Sequence, residues 1–134
     1  MIPLHFIQTL IEKLVSLIRV SYEENPISGI SNKIRHFYDL YFLMKDDDCK
    51  VFINSETFKT QFYSLLEHDK LLFDAPKGWQ LKELKDSVLV SDFENVWEQI
   101  KSTYTSELSA LAYTAIPNEK DISNSFIQLR SLVV

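Results

Sequence analysis

Apolar residues recur every three to four positions along most of this chain, the period of a helix packed on one side. Leu4, Ile7, Ile11, Leu14 and Ile18 fall in a narrow arc, with Phe6, Leu10, Val15 and Leu17 beside them, and predict a helix over 4–20. His5, Gln8, Thr9, Glu12, Ser16 and Arg19 take the other side. Pro3 suits a first helical turn, where its missing N–H costs nothing. The apolar arc covers about half the circumference, so this helix requires neighbours on more than one side.

The segment 24–32 reads as a loop, since Asn25-Pro26 and Ser28-Gly29 are turn chemistry. Ser31 or Asn32 can cap a second helix over 32–45, apolar almost all round and so expected to be largely buried. Asp46-Asp47-Asp48 opposes the dipole at the end of that helix and reads as a solvated connector. Residues 49–54 fit a short extended piece and an irregular link equally well. Ser55 and Glu56 start a third helix, 56–68, with Phe58, Phe62, Leu65 and Leu66 on one side. A second loop, 74–78, follows, and 79–90 is ambiguous. Ser91 and Glu94 have capping-box spacing at the head of a long helix, 92–115. Its stripe is Val96, Trp97, Ile100, Tyr104, Leu108 and Leu111. Pro117 breaks the chain. Asn118 caps a last helix, 119–132, with Ile122, Phe126, Leu129 and Val133 on one face. The pattern predicts an all-α single domain of about five helices around one core.

Composition agrees. The chain has 134 residues, one domain's worth, and only 2 glycines, which disfavours tight hairpins and phosphate-cradling glycine loops. Cys49 is the single cysteine, so no internal disulfide is available. No apolar run nears the roughly 20 residues of a membrane span, and the amphipathic N-terminus, with no clustered basic start, is not expected to be a signal peptide. A reducing cytoplasm is the expected compartment. The net charge of −5 is unevenly spread: residues 1–45 carry 5 basic against 4 acidic groups, and 46–134 carry 9 against 15. An acidic chain without a basic stripe is not expected to bind nucleic acid directly.

Chemistry is sparse. His5, His36 and His68 lack partners at metal-ligand spacing, so no metal is expected. Cys49 has no base near it in sequence and reads as a small buried hydrophobe. One cluster stands out on the second predicted helix: Lys33, Arg35, His36, Tyr38, Asp39 and Tyr41. Arg35 and Asp39 share a face, and His36 adjoins it. Two readings fit. One is an intrahelical ion pair worth about 0.3–0.5 kcal/mol. The other is a polar strip in a cleft, where a cation, an imidazole and a carboxylate can bind phosphate or steer a proton.

The stretch Thr9-Leu-Ile-Glu-Lys13-Leu-Val-Ser-Leu17, followed by Lys33-Ile-Arg-His36-Phe-Tyr38-Asp39-Leu-Tyr41, resembles the AbiEii/AbiGii toxin family. These are nucleotidyltransferase-like toxins of bacterial abortive-infection and type IV toxin–antitoxin systems. Leu111-Ala-Tyr113 to Ile116-Pro117, before a final helix, is similar to the family's C-terminal end. The resemblance implies that Lys13 and Asp39 match catalytic motif positions, with Lys13, Arg35 and His36 near the nucleotide phosphates. The family's metal-binding G-S…D-x-D lies in a mixed α/β catalytic half. Here there is no Gly-Ser pair, and the only D-x-D is Asp46-Asp47-Asp48. The chain starts just ahead of the Thr9 block. It is therefore expected to be the helical C-terminal part or a truncated relative, inactive alone, with Mg²⁺ and NTP bound only if a catalytic half completes it.

The alternative is a helical interaction module that binds a partner, or itself, through the face the missing half would cover. The expected partners are that catalytic half, a cognate antitoxin, or a second copy docked through the wide apolar arc of the first helix.

Overall fold

The 3.6-residue period over 4–20 becomes α1 (Leu4–Val20), and much of the chain is arranged around it. The computed structural model describes residues 4–111 and 115–134. Pro3, the side chain of His5 and the stretch 112–114, which includes the Ala112-Tyr113 part of the tail resemblance, lie outside the described residues. Leu10, Ile11, Leu14, Val15, Leu17 and Ile18 are at most 2% exposed. Four elements cover them: α2 (Pro26–Ser31), α3 (Ile34–Lys45), α4 (Asp47–Ile53) and α5 (Glu56–Leu72). The wide apolar arc of α1 is thus buried within the chain from Leu10 onward, while Phe6 in its first turns stays 38% exposed.

The fold is all-α, and no strand occurs among the described residues. After α5 come two 3-10 turns, Trp79–Leu81 and Leu84–Asp86, then α6 (Val88–Ser91), α7 (Phe93–Leu111) and α8 (Glu119–Ser131). Among the described residues there are eight α-helices, not five. The five anticipated ones are the long α1, α3, α5, α7 and α8; α2, α4 and α6 are additional.

Each added helix has a local cause. Asn25 accepts a hydrogen bond from the Ser28 amide and Pro26 stands at the first helical position, so the 24–32 loop contains α2. A Cβ on Gly29 would lie 3.0 Å from the Val20 carbonyl oxygen, so glycine lets α2 close on the end of α1. α3 then begins after Lys33, with no side-chain cap from Ser31 or Asn32. Asp46 accepts from the Cys49 amide at 3.0 Å and starts α4. Asp47 and Asp48 occupy its first turn, where the dipole favours anions. The acidic run therefore belongs to the head of a helix and not to a connector, and 49–53 is helical, with Asn54 as its C-terminal cap. Ser87 caps α6 through the Leu89 amide. Ser91 closes α6 and donates to the Ser87 carbonyl, so the capping-box reading of Ser91 and Glu94 fails. That reciprocal geometry occurs instead between Glu83 and Asp86. Asn118 caps α8, as anticipated, by accepting from Lys120.

α3 is packed by α1, α4, α7 and α8, which accounts for its nearly all-round apolarity. Phe37 lies 5.4 Å from Trp97 and 5.1 Å from Phe126, both edge-on, and Phe93 completes the aromatic centre. Trp97 Nε1 donates to Glu119 Oε2 at 2.6 Å, tying α7 to α8. At the far end of α1, the Arg19 guanidinium lies 4.1 Å over the Phe73 ring, and its Nε donates to the Ala75 carbonyl. That clamp holds the segment after α5 against the core. Gly78, at φ +83°, makes the turn that delivers buried Trp79 there.

Candidate functional site

α1 and α3 each carry a buried stripe, Leu10, Leu14 and Leu17 on one and Ile34, Phe37, Leu40 and Met44 on the other. Packing these stripes brings the adjoining polar edges together. Lys13, one residue before Leu14, and Asp39, one before Leu40, meet with Nζ to Oδ2 at 2.9 Å. Their side chains remain 24% and 37% exposed. A partly exposed pair of this kind contributes about 0–1 kcal/mol, so it is cheap to open.

The pair lies on the wall of an open cleft of about 490 Å³. Phe6, Phe42 and Leu43 form its apolar side; Asp46 and Thr9 also line it. Helical spacing explains the convergence: 6, 9 and 13 share one face of α1, and 39, 42 and 43 one face of α3, with Asp46 at the C-terminal cap of α3. Phe42 is 45% exposed there, although Tyr38 and Tyr41 pack against its ring.

Of the four residues singled out by sequence, the structure joins Lys13 and Asp39 directly. His36 is half-buried one turn before Asp39. Burial first, and the charges of Lys13 and Lys33 next, lower its pKa to about 4, against an opposing pull from Asp39. It is a neutral imidazole near pH 7. Arg35 is exposed, does not line the cleft and makes no ion pair among the described residues. The intrahelical Arg35–Asp39 pair is therefore replaced by a pair between helices. Sequence does not single out Phe6, Phe42 and Leu43 for the site, although their spacing from Lys13 and Asp39 is helical, and it reads Asp46 only as part of the acidic run.

Elsewhere, a groove of about 860 Å³ separates α1 from α4 and α5, floored by Ile7, Ile11, Phe52 and Leu65. His68, on its rim, has Nδ1 3.5 Å from Asp69 Oδ1. Cys49 is buried, and burial with the nearby Asp46 raises its thiol pKa to about 11, which leaves it protonated and unreactive. Among the described residues no three His, Cys, Asp or Glu side chains converge as metal ligands. No described helix is long and apolar enough to cross a membrane.

Comparisons with protein-family models, with curated proteins and with solved structures return no match.

Proposed function

We propose that this chain is the helical C-terminal part, or a truncated relative, of an AbiEii/AbiGii-type nucleotidyltransferase toxin, and that it is inactive alone. Such a protein acts in the bacterial cytoplasm, in abortive infection or a type IV toxin–antitoxin system. One observation supports the reading above others. Lys13 and Asp39, the two positions the resemblance matches to motif residues, lie on different helices and meet on the wall of one open cleft. A cation and a carboxylate on an accessible wall suit the phosphate end of a nucleotide.

Among the described residues no three metal-ligating side chains converge. Among them Asp39 and Asp46 are the carboxylates that line the cleft, and Asp39 is engaged by Lys13. The metal-dependent step belongs to the G-S…D-x-D half that the resemblance implies. What this chain contributes is Lys13 for the phosphates, with half-buried His36 behind it as a neutral neighbour.

Calorimetric titration with ATP, GTP, CTP and UTP, each with Mg²⁺, tests the reading. Because the site is completed only by the catalytic half, the chain alone is expected to bind each nucleotide no more tightly than the millimolar range, and Lys13→Ala to weaken what binding there is without loss of helical circular dichroism. Micromolar binding by the chain alone, or binding that Lys13→Ala leaves unchanged, overturns it.

The exposure of Phe6 and Phe42 on the cleft rim favours a second reading, an interaction module. Its partner would be a catalytic half, an antitoxin or a second copy. A clean 15.7 kDa monomer in sedimentation equilibrium at tens of micromolar removes the second copy from that set.

A further inference from the structure

Among the described residues the cleft between α1 and α3 holds one cation, Lys13, against two carboxylates, Asp39 and Asp46. The cation is already taken: its Nζ lies 2.9 Å from Asp39 Oδ2. Half-buried His36 adds no charge nearby at neutral pH. An anion entering the cleft must therefore displace Asp39 from Lys13 and then sit beside the carboxylate it displaced. Neither Lys13 nor Asp39 is locked by burial, since both are partly exposed. Asp46 is held in place by its bond from the Cys49 amide and stays at the cleft wall.

We infer that Asp39 is a built-in competitor for Lys13: in the free chain its carboxylate occupies the place of a ligand's phosphate, so that the cleft is closed to phosphates until Asp39 is drawn away. The inference rests on the proposed role of Lys13 as the phosphate-binding cation. It assigns Asp39 the opposite sign from a group that helps to bind phosphate. Removing its charge frees Lys13 and removes a repulsion, so phosphate binding tightens. At a partly exposed site the two effects together amount to roughly tenfold in affinity.

The test is calorimetric titration of the whole chain with inorganic tripolyphosphate, without magnesium. Asp39→Asn is expected to bind on the order of tenfold more tightly than the unaltered chain, and Lys13→Ala/Asp39→Asn to lose that gain. Asp47→Asn removes an equal charge while leaving Lys13 paired, and is expected to change little. Binding by Asp39→Asn that is equal or weaker overturns the inference while leaving the phosphate reading of Lys13 intact. Equal tightening by Asp47→Asn also overturns it, because it shows a general charge effect. Absence of binding to both the unaltered chain and Asp39→Asn overturns the inference and the phosphate reading together. If Asp39→Asn loses its helical circular dichroism, Asp39→Ser is measured in its place against the same outcomes.

Discussion

The hydroxyls of Ser21 and Ser87 meet at 2.6 Å inside the core, 66 residues apart in sequence. Ser21 donates to the Ile18 carbonyl at the end of α1, so Ser87 supplies the proton between the two oxygens. Ser87 also accepts from the Leu89 amide. A buried group with this many duties is costly to delete. Ser87→Ala is expected to destabilise the chain by about 1–3 kcal/mol. The double Ala variant should lose less than the sum of the two single losses, because the second deletion removes an already orphaned partner. Chemical denaturation of the three variants measures both quantities, and additive losses would contradict the pairing.

Phe37 fills the middle of the aromatic centre, touching rings from α7 and α8. Phe37→Ala is expected to cost about 3–5 kcal/mol, since rigid rings cannot collapse into the space. Thermal unfolding reads this directly. A loss under about 1 kcal/mol would mean that the cluster is not the packing centre of the domain.

Asp46 caps α4 and Asp47 lies one residue inside it. Asp46→Ala is expected to cost about 0.5–2 kcal/mol, the range for a lost side-chain cap. Asp47→Ala removes an interaction with the dipole, worth about 0.3–1 kcal/mol, and a loose exposed pair with Lys50, Nζ to Oδ1 3.9 Å, both weakened by salt. If the two losses prove equal and equally salt-sensitive, Asp46 acts as a charge and not as a cap.

His36 gives the stability a defined pH dependence. Its folded pKa of about 4 lies below the ordinary 6.5 of an unfolded imidazole. Between these values the unfolded chain binds a proton that the folded chain rejects, so this group's contribution falls as pH drops from about 6.5 toward 4. Above 6.5 it is constant. His36→Gln is expected to flatten the Tm-against-pH curve within that window, and an unchanged slope would show that His36 is not held neutral.

The isolated chain is expected to transfer no nucleotidyl group, because its sequence carries no G-S…D-x-D. Incubation with labelled NTPs, Mg²⁺ and RNA or protein acceptors is the check. Incorporation that Asp39→Ala abolishes would refute the expectation.

What the sequence made legible follows from how far each signal reaches. α1, α3, α5, α7 and α8 announce themselves because stripes such as Ile122, Phe126 and Leu129 repeat over several turns. α2 and α4 span 6 and 7 residues, too few for a period to emerge. They are specified by single caps, Asn25 and Asp46, and the same letters also spell a turn or an acidic connector. Asp46 shows the ambiguity most clearly, since an acid that is unfavourable at the end of α3 is favourable at the start of α4. The partner of Asp39 was hidden for a different reason. Arg35 is its neighbour along the helix, but α1 packs on α3 and brings Lys13 closer than that local geometry does. Competition between a local and a tertiary partner is decided by packing, which no pattern within one helix records.

The central position of α1 has a consequence for synthesis. Its covering helices all follow it in sequence, and α3 in turn rests on α8, at residues 119–131. As the chain leaves the ribosome, α1 emerges with six core side chains before any of the helices that bury them in this fold. Its sheath cannot be complete before α5 is made, and the aromatic centre under α3 must wait for Phe126. Until then the nascent chain presents a greasy helix to whatever chaperone stands at the exit. Folding of this domain is therefore expected to be a late, concerted event, and not a progressive one.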